Sequence, residues 1–457
     1  MPNTNFVIFG ISSDLAKIKL LPAIYYLIKN KKITKFNIIG LASSEYSVDF
    51  LIDRFSQEIK DPDKKVLEKM KNSMSYLQGD FRKPFVYQEL KDLIKKSKCK
   101  NTLFYLSTLP SFFESIVIHL SEFKLNKESN GWVRIVFEKP FGDDLRNAID
   151  LNKTINKYFK EKQVFRIDHY LAKELVKNIS ILRFTNTILE PIWNSEKIDH
   201  VQIMLDESIG IGSRAKFYDK YGAIKDVLQN HLLQLLALTT MEKPKKLDAT
   251  CIRDGKYNVL KSVKKISSKN VVLGQYESYK KEDGVDQNSN TETFVAVKAF
   301  IDNERWKKVP FYLRAGKKLH DKKIIIYVQF KDVDDSFGDT TGNGLVIQVQ
   351  PNEGFFLLIN VTEPGSNKIK KVKMDFCHGC VFGPNSPEAY EILFEHVLTG
   401  DQSVFVRNDE IEESWRIVET ISDHNLPVEV YKDNTLPKSA KALIEKDGRE
   451  WFVDKFQ

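Results

Sequence analysis

The opening of the chain constrains the fold most. Phe6-Val7-Ile8-Phe9 is an unbroken apolar run that stops at Gly10, which reads as a short strand buried in a sheet. The turn Gly10-Ile11-Ser12-Ser13-Asp14-Leu15-Ala16-Lys17 leads into a helical pattern through Leu20, Leu21, Ile24, Leu27 and Ile28, with Pro22 expected to mark a turn or kink near its start. Strand, glycine turn and helix form the first unit of a dinucleotide-binding sheet. In such a unit a pyrophosphate rests on the helix N-terminus, where unpaired N–H groups and the helix dipole favour an anion. The usual small-residue spacing reads Gly10, Ser13, Ala16 here, so the signature is degraded at its second position.

The pattern then repeats. Phe36–Ala42, Thr102–Ser107 and Trp132–Phe137 are further apolar strands, with helical stretches around 88–96 and 113–123. Asp53–Lys71 is expected as one exposed helix. This alternation through about residue 140 implies a mostly parallel, doubly wound sheet. Its last strand runs into Glu138-Lys139-Pro140-Phe141-Gly142, which sets a lysine at the carboxyl end of a parallel strand, where such folds bind ligands. An ordinary β-turn is the competing reading. A helix over Asn147–Lys162 and a strand Val164–Ile167 follow, and then Arg166-Ile167-Asp168-His169-Tyr170-Leu171-Ala172-Lys173-Glu174. That nonamer packs two acids, two cations, an imidazole and a phenol together. A core has no use for them; a receiving loop for a phosphorylated or carboxylated small molecule does, and a solvated charged turn is the alternative.

Beyond Pro191-Ile192-Trp193 the period changes to two. His200–Leu205, Phe294–Phe300, Ile324–Gln329, Gly344–Val349 and Phe355–Val361 imply a large, mainly antiparallel sheet in an α+β domain. One helix, Ala223–Leu236, interrupts it; 384–421 is expected to be helical, and 280–291 and 335–344 to be loops. The expected organisation is therefore an α/β, Rossmann-like dinucleotide-binding domain over 1–165 and an α+β substrate and dimerisation domain over 166–457.

Net charge is +8, and the pI is about 8.9. The lysine runs at Lys29–Lys32 and Lys368–Lys373 lack interleaved aromatics, so they read as solvated faces and nucleic acid is not expected as a partner. A mild positive balance does suit a small anionic substrate. Of the four cysteines, Cys377-His378-Gly379-Cys380 has CxxC spacing. No second pair completes a zinc site, so no metal is expected and the pair reads as an incidental loop. Few cysteines, no signal-peptide pattern and no long apolar run set the expectation of a cytoplasmic protein with no membrane contact.

Asp226 and His231 lie five apart on the interrupting helix. In an α-helix that separates them by about 140°, so they need not touch, although both can border one cleft. A lone histidine is most often a core residue bonded to a neighbour. Glu207, in Leu205-Asp206-Glu207-Ser208, ends a strand that can aim at the same cleft.

These stretches together resemble the glucose-6-phosphate dehydrogenase family over essentially the whole chain. The family signature R-I-D-H-Y-L-G-K-E stands here as Arg166–Glu174 with Ala172 for the glycine. Glu138–Gly142, Arg183–Asn186, Asp226–Gln234, Thr291–Phe294, Val309–Lys317 and Gly400–Gln402 match as well. The resemblance implies the following roles. His231 is the general base for the sugar C1 hydroxyl, and Asp168 orients it. His169, Tyr170 and Lys173 take the phosphate, while Glu207 and Asp226 hold sugar hydroxyls. Lys139 touches cofactor and substrate, and Lys317 and Lys322 close over the substrate. Gly10, Ser12, Ser13, Asp14, Leu15 and Ser43 fall on the cofactor side. The implied partners are glucose 6-phosphate and NADP or NAD, and the implied assembly is a homodimer or dimer of dimers built through the large sheet.

The departures are all on the cofactor side. Ser13 replaces the second glycine of the family turn, and Leu109-Pro110 stands where paired prolines are usual. Ser43 replaces the arginine that grips the 2′-phosphate of NADP, with Ser44 and Glu45 beside it. Lys17 and Lys19 are candidates to compensate. Coenzyme preference stays open on this basis. Two rival readings also stand: a catalytically weak paralogue kept as a regulatory or assembly partner, and an oxidoreductase acting on an unphosphorylated sugar.

Overall fold

Short apolar strands buried on both faces build the first part of the molecule. The computed structural model describes residues 3–333, 341–366, 368–383, 388–422, 424 and 426–452. It divides into two units, one drawn from Met1–Ala172 and Pro387–Ile411, the other from Lys173–Ser386 and Glu412–Gln457.

In the first unit β1 (Thr4–Phe9), β2 (Phe36–Ala42), β3 (Met74–Gln78), β4 (Asn101–Leu106), β5 (Val133–Phe137) and β6 (Val164–Ile167) form a sheet in the order β3-β2-β1-β4-β5-β6. All of these neighbours are parallel. Val7 sits in register between Ile39 and Phe104, and β1 and β4 are buried at every position, as strands covered on both faces must be. The order reverses between β1 and β4. The turns that follow those two strands therefore lie at the switch point, where doubly wound sheets bind ligands.

The segment expected as one helix over Asp53–Lys71 is two, Val48–Ser56 and Lys64–Asn72. Asp61 at φ 50° breaks the run, and Pro62 disfavours helical geometry in the residue before it; Ser47 and Asp63 cap the two starts. Pro22 is accommodated because a π-helical turn, Ala16–Leu20, hands over to the α-helix Leu21–Lys29 just before it. The helix runs on without a break through the junction, and the wider π-helical turn absorbs the loss of the N–H that proline lacks.

Residues 388–411 return to this sheet from late in the chain. The short strand Phe405–Val406 pairs antiparallel with β6. Phe394 on the helix Ala389–Thr399 packs edge-on against Phe6, ring centres 5.9 Å apart. The Gln402 amide donates to the carbonyls of Glu161 and Val164, each at 2.8 Å.

The second unit holds a nine-stranded sheet. β7 (Ile198–Asp206), β8 (Val271–Tyr276), β9 (Phe294–Ala299), β10 (Phe311–Gly316), β11 (Lys323–Phe330), β12 (Gly344–Gln350), β13 (Gly354–Thr362) and β14 (Ile369–Cys377) join a last strand, Val428–Tyr431. The order is β14-β13-β12-β11-β7-β10-β9-β8 and then Val428–Tyr431. The sheet is mainly antiparallel, but β7 runs parallel to β10 and the last strand parallel to β8. Its core gathers Met204, Phe294, Tyr312, Ile325, Val346 and Trp451. Of the loop expected over 335–344, residues 335–340 lie outside the described residues, and Gly344 already opens β12. The CxxC pair is not an incidental loop. Cys377 ends β14, Cys380 lies in the short helix His378–Phe382, and the two are joined as a disulfide. No helix among the described residues is long and apolar enough to cross a membrane.

Candidate active site

The turn after β1 is built around one glycine. Gly10 has φ +81°, and a Cβ there would meet the Ser107 carbonyl oxygen at 2.2 Å, so no side chain can occupy the point where this turn passes β4. The N–H groups of Gly10 and Ile11 both donate to the Leu41 carbonyl, at 2.8 and 3.1 Å, which fastens the turn to the end of β2. Ser13 does not aim its hydroxyl at a ligand. Its Oγ accepts the Ala16 N–H at 3.1 Å and shares a hydrogen bond of 2.6 Å with Ser107 Oγ. The serine caps the helix and ties it to the end of β4. A glycine-gated turn, a helix start and a sheet reversal are the parts a dinucleotide needs, so the residues present fit that cofactor. Gly10, Ser12, Ser13, Asp14 and Leu15 all lie on this turn.

Ser43 is exposed just past β2. Its carbonyl accepts Gln78 Nε2 at 3.2 Å, and the Ser44 carbonyl accepts the Tyr76 hydroxyl. Lys17 and Lys19 are turned to acids, Glu58 at 2.7 Å and Glu388 at 3.1 Å. The cation bonded to the turn itself is Arg54, which donates to the Ser12 carbonyl and to Asp14 Oδ1. Sequence reading passed over it because an arginine on an amphipathic helix looks like surface.

At the end of β5, Glu138 is fully enclosed. It accepts the hydroxyls of Tyr105 and, at 3.2 Å, of Tyr390. Burial pushes its carboxyl above the usual range against those hydrogen bonds and the neighbouring Lys139. Lys139 itself is half-buried between Glu138 and Pro140. The nonamer begins at the end of β6. Arg166 is wholly buried and paired with Glu161 at 2.7 Å, a structural role. Asp168 is 2% exposed, and its Oδ1 accepts the Tyr170 N–H at 3.0 Å. The His169 and Tyr170 rings lie 4.9 Å apart. Lys173 is the residue before the helix Glu174–Thr185.

In the second unit the stretch Ile224–Leu232 is π-helical, which changes the reading of Asp226 and His231. The 140° separation assumed α-helical geometry. A π-helix bonds residue i to i+5, so residues five apart lie about one turn above each other. Both are buried, at 7% and 3% exposure. Gly222, at φ +65°, separates this stretch from the helical residues before it, and a Cβ there would meet Glu292 Oε1 at 2.3 Å. Glu292 takes both N–H groups at the start: its carbonyl accepts Ala223 N–H at 2.9 Å, and its carboxyl accepts Ile224 N–H at 3.0 Å. Burial pushes the Glu292 carboxyl up to about 7.

The expected sugar-binding acids each hold a cation. Asp226 pairs with Arg214 at 3.2 Å, and Glu207 pairs with Lys317. Lys317 Nζ also lies 5.2 Å from the centre of the Tyr218 ring, and the Tyr431 hydroxyl donates to its carbonyl at 2.6 Å. The Tyr218 hydroxyl is buried with no hydrogen-bond partner among the described residues. Glu207 and Lys317 are thus brought together. Lys322 is exposed before β11, where its neighbours Asp321 and Lys323 pair with each other at 3.0 Å.

Residues 7–178 match the family described as glucose-6-phosphate dehydrogenase, NAD binding domain, and residues 180–452 match glucose-6-phosphate dehydrogenase, C-terminal domain. The glucose-6-phosphate 1-dehydrogenase of Chlamydia muridarum is 38% identical over 98% of this chain and 97% of its own. That of Bacillus subtilis is 38% identical over 99% of this chain and 98% of its own. A solved glucose-6-phosphate dehydrogenase in complex with its substrate glucose-6-phosphate superposes with a TM-score of 0.93 at 36% identity, covering 99% of both chains. With matches running end to end through both halves, the chain belongs to the glucose-6-phosphate dehydrogenase family.

Proposed function

We propose that the protein oxidises D-glucose 6-phosphate at C1 to 6-phospho-D-glucono-1,5-lactone, the first step of the oxidative pentose phosphate pathway. The observation that carries this is full-length family membership, and the substrate-side residues named by the family resemblance are present in the sequence. A bound nicotinamide dinucleotide supplies the acceptor for the C1 hydride. His231 takes the C1 hydroxyl proton as that hydride leaves. Asp168 orients the imidazole and stabilises its cation, the logic of a base steered by a carboxylate.

His169, Tyr170 and Lys173 bind the phosphate dianion through charge-assisted donors, and anchoring it fixes C1 for reaction. Glu207 and Asp226 accept from sugar hydroxyls. Their ion pairs with Lys317 and Arg214 support this by fixing where both carboxylates point. Lys139 contacts substrate and coenzyme, and Lys317 and the exposed Lys322 close over the sugar. Gly10, Ser12, Ser13, Asp14, Leu15 and Ser43 line the coenzyme side. The proposal extends to a cytoplasmic homodimer or dimer of dimers. Exposed Ile369 and Met374 on β14, the outermost strand of the large sheet, support that assembly, and sedimentation checks it.

The rival of a silent paralogue rests on Ser13 and Ser43. The internal hydrogen bonds of Ser13 weaken it. Steady-state NAD(P)H formation from glucose 6-phosphate decides between them, and no turnover with either coenzyme would sink the enzyme reading. Equal rates on glucose and glucose 6-phosphate would overturn the phosphate assignment. His231→Asn is expected to lower kcat by about 10²–10⁴-fold, the range for a general base, with KM nearly unchanged. Full turnover in that variant would refute the role given to His231.

A further inference from the structure

We propose that Arg54 is the coenzyme-selecting residue of this chain: its guanidinium receives the 2′-phosphate of NADP in place of the arginine missing at Ser43. This rests on the reading of the first unit as a nicotinamide-dinucleotide site. In that fold the ribose 2′ position is met at the end of the second strand, by an acid for a hydroxyl or by a nearby arginine for a phosphate. Here the end of β2 offers Ser43, Ser44 and Glu45, all exposed, and none of them carries a positive charge.

The nearby cations differ in where they point. Lys17 and Lys19 pair with Glu58 and Glu388, acids outside the turn. Arg54 comes from the helix Val48–Ser56, the first element after β2, and reaches back to the turn after β1. One terminal nitrogen donates to the Ser12 carbonyl, and the other donates to Asp14 Oδ1 at 3.1 Å. The Gly10 and Ile11 N–H groups bond that same turn to Leu41 near the end of β2. The guanidinium is therefore fixed on the turn after β1, and that turn is itself bonded to the end of β2. A guanidinium carries five N–H donors, and two bonds leave it with donors for a phosphate fork.

Accessibility agrees. The Arg54 side chain is 26% exposed, so a ligand can reach it, and its carboxylate partner Asp14 is 84% exposed. An exposed carboxylate pairs weakly and yields to a doubly charged phosphate. Ser43 adds a hydroxyl that serves either ribose. Discrimination between the two coenzymes then depends on Arg54.

The test is calorimetric binding of adenosine 2′,5′-bisphosphate against 5′-AMP, which differ by the 2′-phosphate alone, to the full chain. The wild type is expected to prefer the bisphosphate by at least about tenfold, as one charge-assisted phosphate contact provides. Arg54→Ala should bring that ratio close to one while 5′-AMP affinity moves less than about twofold, and Arg54→Lys, which keeps a charge without the fork, should fall between. Raising the salt should erode the preference in the wild type and not in Arg54→Ala. The proposal is overturned if the wild type shows no preference, if the preference survives Arg54→Ala, or if both ligands are lost together in Arg54→Ala and Arg54→Lys, which would make Arg54 a brace for the turn. Failure of the wild type to bind 5′-AMP, the bisphosphate or NADPH at all would instead sink the dinucleotide reading.

Discussion

Glu292→Gln isolates the electrostatic cost of the carboxyl at the start of the π-helical stretch. Burial pushes this group up to about 7 from an ordinary 4.5. The sign follows from which state binds the proton. Below the unfolded value both states hold it and no cost exists. Between 4.5 and about 7 the unfolded chain releases a proton that the folded protein retains, so stability falls as pH rises; above the folded value the loss is complete and constant. At about 1.4 kcal/mol per unit, the shift amounts to about 1 kcal/mol at pH 5 and about 3 kcal/mol at pH 8. The carboxyl is enclosed although the residue as a whole is half-buried, so solvent screening is small. Glutamine keeps the shape and still accepts the Ile224 N–H, but it carries no charge. Urea unfolding followed by tryptophan fluorescence should therefore show the variant gaining on the wild type by about 2 kcal/mol between pH 5 and pH 8. A stability difference that is the same at both pH values would refute the reasoning, because every other titrating group is common to the two proteins.

Lys173→Ala should raise KM for glucose 6-phosphate by about tenfold or more while kcat changes less, the pattern of a lost charge-assisted contact; an unchanged KM would remove Lys173 from the phosphate site. Gly10→Ala combines a φ of +81° with a Cβ placed 2.2 Å from the Ser107 carbonyl. It should cost about 1–3 kcal/mol and abolish NADPH binding, read by fluorescence titration. Intact NADPH affinity in a folded Gly10→Ala protein would contradict the account of the turn.

The first sheet was legible because strands covered on both faces must be apolar throughout. Phe6–Phe9 and Thr102–Leu106 announce themselves for that reason. β3, Met74–Gln78, did not, because three of its five positions are partly or fully exposed. β14 stayed hidden for a related cause: every one of its positions is partly or fully exposed along an outer strand. The return of 388–411 to the first sheet had no local signal. It depends on Phe405 finding Ile167 across more than half the chain, and no window of sequence contains both. The π-helical stretch escaped too, since apolar positions spaced for 3.6 residues per turn fit a slightly wider helix nearly as well.

At the site, the residues read from sequence were those whose chemistry no core would choose, such as the charged cluster at Asp168–Lys173. Residues acting on the backbone were given no role: Glu292, although inside the matched stretch Thr291–Phe294, and Arg54 look like ordinary surface charges until their partners, Ile224 N–H and the Ser12 carbonyl, are known. Ser13 shows the limit of counting glycines. A motif glycine is required either for a positive φ or for space, and those demands separate here. Gly10 meets both, at φ +81° against Ser107. Ser13 is not in the positive-φ region, and its side chain fills the space productively by capping Ala16 and bonding Ser107. The substitution that looked like decay therefore keeps the turn closed by side-chain bonds. Of the cofactor-side departures, the one that removes a charge is Ser43, and Arg54, bonded to the neighbouring turn, is the cation proposed to restore it.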